Sequence, residues 1–360
     1  MTRLDLLPAP VLAVSGWSGA GKTTLLEAAI PRLAARGLRV AVVKHDAHGI
    51  QVDREGKDSD RLFRAGATVV VRAPEENLVR LAVTPEATLA QFLGSLARTH
   101  DLLLVEGHKD TPLPKVWLVD RQGNPAPGGI QQVLATLPWG GERLDPFLQL
   151  AEECVQRHFA ARPLLGGVLV GGASSRMGRP KHLAKLGGQT LLERAWHAVA
   201  AHGSKVVLLG QARGTARRPW LPDAPGVSGP LAGILAAQRW HPAAAWLITA
   251  CDMPALGAEA LAWVLAQRRP GRWAVIPAHP DGRLEPLAAV WEPQAAPLLE
   301  DLVLRGEPAP RLAARHPKVA TPPLPAELRE AFRNVNTPAE LAALRRPRRR
   351  GGAQPPASSR

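Results

Sequence analysis

Cysteine is close to absent: 360 residues carry two, Cys154 and Cys251. They are far apart and form no CxxC pair, which excludes a disulfide framework and a thiolate zinc site. Tyrosine is missing altogether, and aromatic residues make up only 4%. Without a reader motif or interleaved stacking residues, the basic excess does not describe a nucleic-acid surface, and no nucleic-acid partner is expected. No apolar run reaches the length of a membrane span, and the opening Met1-Thr-Arg-Leu-Asp5 does not begin a signal peptide. The expectation is a cytoplasmic protein without a membrane partner.

A hydrophobic content of 46% belongs to a globular chain, and the length suits two domains. The net charge of +14 fits anionic small substrates. Part of it sits in Arg345-Arg-Pro-Arg-Arg-Arg350, and residues 346–360 read as a basic, disordered tail.

Two glycine-rich segments, each following an apolar run, carry the chemistry. The first is Gly16-Trp-Ser-Gly-Ala-Gly-Lys-Thr23, which follows Val11-Leu-Ala-Val-Ser15 and matches G-x-x-x-x-G-K-[ST] in full. A helix is expected at once from Thr24, kinked at Pro31 and stopped by Gly37. In that order of strand, loop and helix, backbone N–H groups over Gly16, Gly19, Ala20, Gly21 and Thr24 face phosphate. Lys22 reaches the outer phosphates and the Thr23 hydroxyl binds Mg²⁺. Asp101-Leu-Leu-Leu-Val-Glu106 is an apolar strand ending in an acid, and Glu106 either helps hold Mg²⁺ or caps the strand. The polar stretch from Asp46 to Asp60 offers Asp53 and Asp58 as further Mg²⁺ or water-positioning groups. His45 and His48 are either a metal pair or solvated histidines.

The second segment is Val168-Leu-Val-Gly-Gly172, continuing through Arg176 and Gly178 to Lys181. It lacks the Gly-Lys-Ser/Thr of the first loop. Its glycines leave N–H groups free to face a polyphosphate, and Arg176 and Lys181 add positive charge. Ala245-Trp-Leu-Ile-Thr-Ala250 is a buried strand leading into Cys251, Asp252 and Pro254. In open α/β sheets ligands gather at such strand ends, so Asp252 is a natural Mg²⁺ ligand. Cys251 is a packing residue or a nucleophile, and the neighbouring carboxylate disfavours the second. Asp223 precedes Gly229-Pro-Leu-Ala-Gly233, which is either a base- and ribose-contacting turn or a plain loop-to-helix transition. Thr337 and Pro338 start a last helix beside Asn336, whose amide oxygen is a candidate metal or substrate ligand.

Residues from about 10 to 158 resemble the molybdopterin-guanine dinucleotide biosynthesis adapter family. The marks are the Gly16–Thr23 loop, Lys44-His45, Gly56-Lys-Asp-Ser59, Arg64-Ala-Gly-Ala67 and Leu104-Val-Glu-Gly107 followed by Lys109. Residues 164 to 345 are similar to the molybdenum cofactor guanylyltransferases. That resemblance rests on Leu169-Val-Gly-Gly172, Arg176-Met-Gly178, Lys181, Gly229–Gly233, Cys251-Asp-Met-Pro254 and Asn334-Val-Asn-Thr-Pro338. The fold implied is α/β in two domains: a P-loop NTPase-like domain over 1–160 and a Rossmann-like nucleotidyltransferase domain over 164–345.

The function implied is transfer of GMP from GTP to Mo-molybdopterin, with release of pyrophosphate, assisted by a fused GTP-binding adapter. By the resemblance, Leu169, Val170, Gly171, Gly172, Lys181, Asp223, Gly229 and Asp252 bind nucleotide. Asp252 and Asn336 bind Mg²⁺, and Arg176, Lys181 and Asp252 carry catalysis. A molybdenum-insertion protein and molybdoenzymes are the implied protein partners. Two departures touch base choice. Pro180 stands where the family usually has Asp before the lysine, as in a sister family that transfers cytidylate, and Leu208-Leu-Gly-Gln211 lacks the family's nucleotide-contacting Asn. A cytidylyltransferase, or a cofactor-binding module without transfer chemistry, are the alternatives.

Overall fold

The computed structural model describes residues 6–45, 53–82, 84, 88–171, 180–203, 205–211 and 218–344. The chain divides into two compact units, residues 1–160 and 161–360.

The first unit runs β1 (Val11–Gly16), α1 (Lys22–Ala35), β2 (Val40–Lys44), α2 (Asp58–Arg64), β3 (Val69–Arg72), β4 (Asn77–Arg80), α3 (Leu89–Ala97), β5 (Leu102–Glu106), β6 (Lys115–Leu118), β7 (Val133–Leu137) and α4 (Leu144–Ala161). Five strands form one parallel sheet in the order β2-β5-β1-β6-β7. Continuous apolar strands are what a sheet buried on both faces needs. Leu12, Val14, Leu102 and Leu104 point to a layer holding α1 and α4, while Val11, Ala13, Leu103 and Val105 point to the layer under α3. The expected helix after the first glycine loop is present, and it runs through Pro31 without ending. Thr88 opens α3 with a capping box closed by Gln91.

β3 pairs only with β4, in an antiparallel hairpin apart from the main sheet. Asp60 fastens that hairpin to α2. Its carboxylate accepts from Gly56 N at 2.9 Å, Arg64 Nε at 2.8 Å and Arg80 Nη1 at 2.9 Å. Arg80 also reaches Asp53 at 3.3 Å and lies 4.0 Å over the Phe63 ring.

The second unit runs β8 (Leu164–Val170), β9 (Lys185–Leu186), β10 (Gln189–Thr190), α5 (Leu191–Ala200), β11 (Val206–Gly210), β12 (Trp220–Leu221), α6 (Pro230–Trp240), β13 (Ala245–Ala250), α7 (Ala258–Ala266), β14 (Ala274–Val275), β15 (Ala288–Trp291), α8 (Ala295–Leu304), β16 (Val319–Ala320) and α9 (Pro338–Ala343). Seven strands form one sheet in the order β12-β11-β8-β13-β15-β14-β16. β8, β11, β12 and β13 are mutually parallel, and β15 runs against β13 and β14. Val206, Leu208, Ala245 and Leu247 face one apolar layer, and Val207, Leu209, Trp246 and Ile248 the other. The Glu292 carboxylate, 3% exposed, joins Arg162 at 2.6 Å and Arg268 at 2.7 Å. Buried on its own such a charge is costly, and two guanidiniums beside it offset that cost.

Among the described residues no helix is long and apolar enough to cross a membrane. The tail expected to be disordered, 346–360, lies outside the described residues.

The three donors around Asp60 hold its carboxyl down to about 2, with the Gly56 N–H and then Arg64 and Arg80 as the causes. A depressed carboxyl adds stability that is fully present above the unfolded value near 4 and is lost as pH falls through about 2. Asp60→Asn is therefore expected to speed hydrogen exchange across α2 and the β3–β4 hairpin at pH 7. The wild-type chain should show its own loosening of this region only between about pH 4 and 2. Unchanged exchange in the variant would remove Asp60 as the fastening.

Candidate functional site

In the first unit, parallel pairing sets Val14 beside Glu106 and Gly16 beside Leu118. The glycine loop leaves β1 at the sheet edge where β5 ends. Gly21 has φ +83, a conformation that glycine adopts at no steric cost, as the chain turns into α1. Ala20 is fully buried beneath the loop. Lys22 Nζ donates to Gly16 O at 3.1 Å and Trp17 O at 2.8 Å. Burial pulls Lys22 below its ordinary value, and Glu106 acts in the opposite sense. Thr23 Oγ1 donates to Glu106 Oε1 at 2.8 Å, and Lys44 Nζ stands 3.6 Å from the same oxygen. The threonine and the strand-end acid expected to cooperate are thus adjacent, and the charge of that acid acts on Lys22. Thr24 is exposed on the first turn of α1.

Asp53 is committed to Arg80 and Ser59, and the Asp58 side chain is 99% exposed with Arg61 at 3.9 Å. The His45 and His108 rings lie 4.9 Å apart, tilted by 51°. His48 lies outside the described residues, and among the described residues no group of three metal-ligating side chains is found.

In the second unit, Ala250 pairs with Leu169 in the parallel ladder of β8 and β13. β8 and β13 thus end side by side, one residue before Gly171 and two before Asp252. Lys181 begins a short 3-10 turn, and its Nζ lies 3.4 Å from Asp252 Oδ2 and 3.0 Å from Asn336 Oδ1. One ammonium therefore joins residues 71 and 155 positions away in sequence. Val335 N donates to Asp252 O at 2.8 Å, which holds the approach to α9 against the end of β13. The capping box of Thr337 and Glu340 aims the first turn of α9, and Glu340 also accepts from Asn336 N at 2.6 Å. Asp252 Oδ1 is enclosed and has no hydrogen-bond partner among the described residues.

Across β8, Gln211 N donates to Val170 O at 2.9 Å, so the strand end and the segment after β11 close on each other. A methyl at Gly233 would sit 2.5 Å from Leu169 Cδ2, and one at Gly210 2.4 Å from Val170 O. Those glycines let α6 and β11 approach β8 and leave Asp223 Oδ1 within 3.3 Å of the methyl position at Gly210. Desolvation there pushes the Asp223 carboxyl above its usual value. Gly229, with φ +70, turns the chain into α6. Gly171, Asp223 and Gly229 thus flank the ends of β8 and β11, and Lys181, Asp252 and Asn336 the end of β13. Gly172 and Arg176 lie outside the described residues.

Three groups escaped sequence reading. Glu285, 8% exposed, accepts from or donates to His279 Nε2 at 2.9 Å. Burial raises its carboxyl, His279 opposes that, and the charge of Asp252 adds to the rise, so Glu285 stands electrically close to the site. Lys115, fully buried, donates to Lys109 O and Thr111 O and braces the turn after Glu106. Arg143 donates to Ala20 O at 2.8 Å and to Pro138 O at 2.6 Å, linking the first glycine loop to a distant turn. None of the three belongs to a motif or a spacing pattern that singles it out.

Residues 11–137 match the family model described as molybdopterin guanine dinucleotide synthesis protein B. Residues 166–319 match the model of the MobA-like NTP transferase domain. The chain is 46% identical over 130 residues to the molybdopterin-guanine dinucleotide biosynthesis adapter protein of Haemophilus influenzae, covering 35% of this chain and 72% of that one. It is 35% identical over 185 residues to the probable molybdenum cofactor guanylyltransferase of Deinococcus radiodurans, covering 51% of this chain and 94% of that one. It is also 35% identical over 196 residues to the molybdenum cofactor guanylyltransferase of Sinorhizobium fredii, covering 48% and 87% respectively.

Cys251 is 8% exposed, and burial, then the adjacent Asp252 charge, push its thiol up to about 12, with Lys181 acting the other way. At pH 8 it is protonated and inert. A disulfide-exchange reagent should therefore label Cys251 in the native chain only after unfolding, and Cys251→Ala should leave the native labelling curve unchanged. Rapid native labelling at Cys251 would show the strand end to be open.

Proposed function

The chain belongs, in its first half, to the molybdopterin-guanine dinucleotide biosynthesis adapter family and, in its second, to the molybdenum cofactor guanylyltransferases; from that premise we propose that it transfers GMP from GTP to Mo-molybdopterin, with a fused adapter domain that binds GTP. Residues 164–345 are assigned the transfer and residues 1–160 the adapter role. The observation that carries this reading is the meeting of Lys181, Asp252 and Asn336 at the end of β13.

An enclosed carboxylate oxygen without a partner, on a residue that shares Lys181 with a side-chain amide oxygen, gives a donor set suited to Mg²⁺, a hard cation that takes oxygen ligands. Asp252 and Asn336 would hold the ion. Bound there, it supplies charge neutralisation to the triphosphate. In the first half, the Thr23 hydroxyl and Glu106 carboxylate form a second oxygen pair of the same kind.

In the transfer domain, backbone groups of Leu169, Val170, Gly171 and Gly172 cradle the GTP phosphates, and Asp223 and Gly229 border the ribose and base. The terminal phosphate oxygen of molybdopterin attacks the α-phosphorus. A new P–O bond forms to that oxygen, the bond to the β-bridging oxygen breaks, and pyrophosphate leaves with the electron pair. Lys181 gives its positive charge to the departing phosphates, and Arg176 is assigned the same task. Little covalent chemistry is asked of the protein, so positioning and charge account for the rate.

Joining both halves in one chain raises the effective concentration of one for the other, which suits hand-over of a cofactor. A molybdenum-insertion protein before this step and a molybdoenzyme after it are the matching partners.

Purified chain given GTP, Mg²⁺ and Mo-molybdopterin should release pyrophosphate and yield the dinucleotide by mass spectrometry. Pro180 ahead of Lys181 makes CTP the necessary parallel substrate, and faster turnover with CTP would replace guanylyl with cytidylyl transfer. Asp252→Ala should lower transfer on the order of a thousandfold with the fold retained. Lys22→Ala should remove GTP binding by the first half. Full turnover by the Asp252 variant would end the proposed role of that carboxylate.

A further inference from the structure

Trp139 belongs to neither apolar core and is 45% exposed, an unusual setting for the largest side chain. Its place in the sheet is informative. Gly16 pairs with Leu118 across β1 and β6, and Leu118 pairs with Leu137 across β6 and β7. The glycine loop and the Pro138–Arg143 turn therefore leave the sheet at the same edge, two strands apart. That lateral offset is about 10 Å, the order of the distance from the phosphates of a nucleotide to its base.

Arg143 makes the turn rigid and ties it to the loop. Its guanidinium donates to Pro138 O, Leu137 O and Val119 O, and to Ala20 O within the glycine loop. The Trp139 ring lies 5.3 Å from the same guanidinium. An exposed indole is thus tied to the phosphate loop through Arg143, whose guanidinium lies over one face of the ring. A nucleobase stacks on such a surface, and a pre-set platform loses little entropy on binding.

We propose that Trp139 is the base-stacking platform of the nucleotide site in the first unit, and that Arg143 is its positioning residue. This rests on the reading of Gly16–Thr23 as a nucleotide loop and adds the place of the base, which no motif in this chain marks.

The test uses the full chain and titration calorimetry with GTP and with inorganic tripolyphosphate, which carries the phosphates without the base. The first-unit component is the binding that Lys22→Ala removes. Trp139→Ala should weaken that component for GTP on the order of tenfold and leave tripolyphosphate affinity unchanged, the size expected of one base–aromatic stack. Arg143→Ala should weaken both ligands, because Ala20 O loses its anchor. Wild-type chain should also show GTP-induced quenching of tryptophan fluorescence that Trp139→Phe diminishes. GTP affinity unaltered in Trp139→Ala, or tripolyphosphate weakened equally with GTP, would overturn the proposal. If Lys22→Ala removes no binding at all, the nucleotide loop itself is misread and the stacking role falls with it.

Discussion

Parallel pairing of neighbouring strands is the constraint on which both units depend. In a parallel ladder every strand ends at the same edge, and the segments that follow are delivered to one crevice. β1 and β5 bring the Gly16–Thr23 loop to Glu106, and β8 and β13 end side by side just before Gly171 and Asp252. Both units thus set a carboxylate at the end of one strand beside the end of a strand that runs into glycine, from different strand orders and different sequences. The apolar layers above and below each sheet keep the registers from slipping, because a one-residue shift would exchange the side chains of the two faces.

What distinguishes the crevices is how each acid is held. Glu106 is engaged by a hydroxyl and a lysine from elements on either side of it. Asp252 meets an ammonium on one oxygen and keeps the other free of hydrogen bonds among the described residues. A buried oxygen without a partner is costly, and such cost is retained where a ligand uses the atom. Glu285 stands close enough for the charge of Asp252 to raise its carboxyl, after the larger effect of its own burial, and His279 balances part of that. The two carboxylates therefore differ: Glu285 is hydrogen-bonded to His279, and Asp252 keeps one buried oxygen without a partner among the described residues.

Most of the strands and helices were legible in sequence because they are local. The apolar runs at 11–15, 102–105 and 245–250 are long enough to declare buried strands. Thr337-Pro338 and the glycine loop declare helix starts on their own. The β3–β4 hairpin and the edge strand β7 were less legible. Their residues alternate in burial or stand largely exposed, so their pairing partners rather than their composition define them. The phosphate-binding and metal candidates were legible as motifs. Arg143, Lys115 and Glu285 were not, since each acts through backbone carbonyls or a single distant side chain and leaves no periodic mark.

By itself, then, the sequence determined which segments are strands, where the glycine turns fall, and which acids and lysines stand at strand ends. Hydrophobic periodicity and turn chemistry act over a few residues and need no partner. Only the tertiary structure decided that Lys181 joins Asp252 to Asn336, that Thr23 meets Glu106, and that Arg143 links Ala20 to the turn bearing Trp139. Those meetings depend on strand order and register, which are set by hydrogen bonds and packing between segments tens to more than a hundred residues apart.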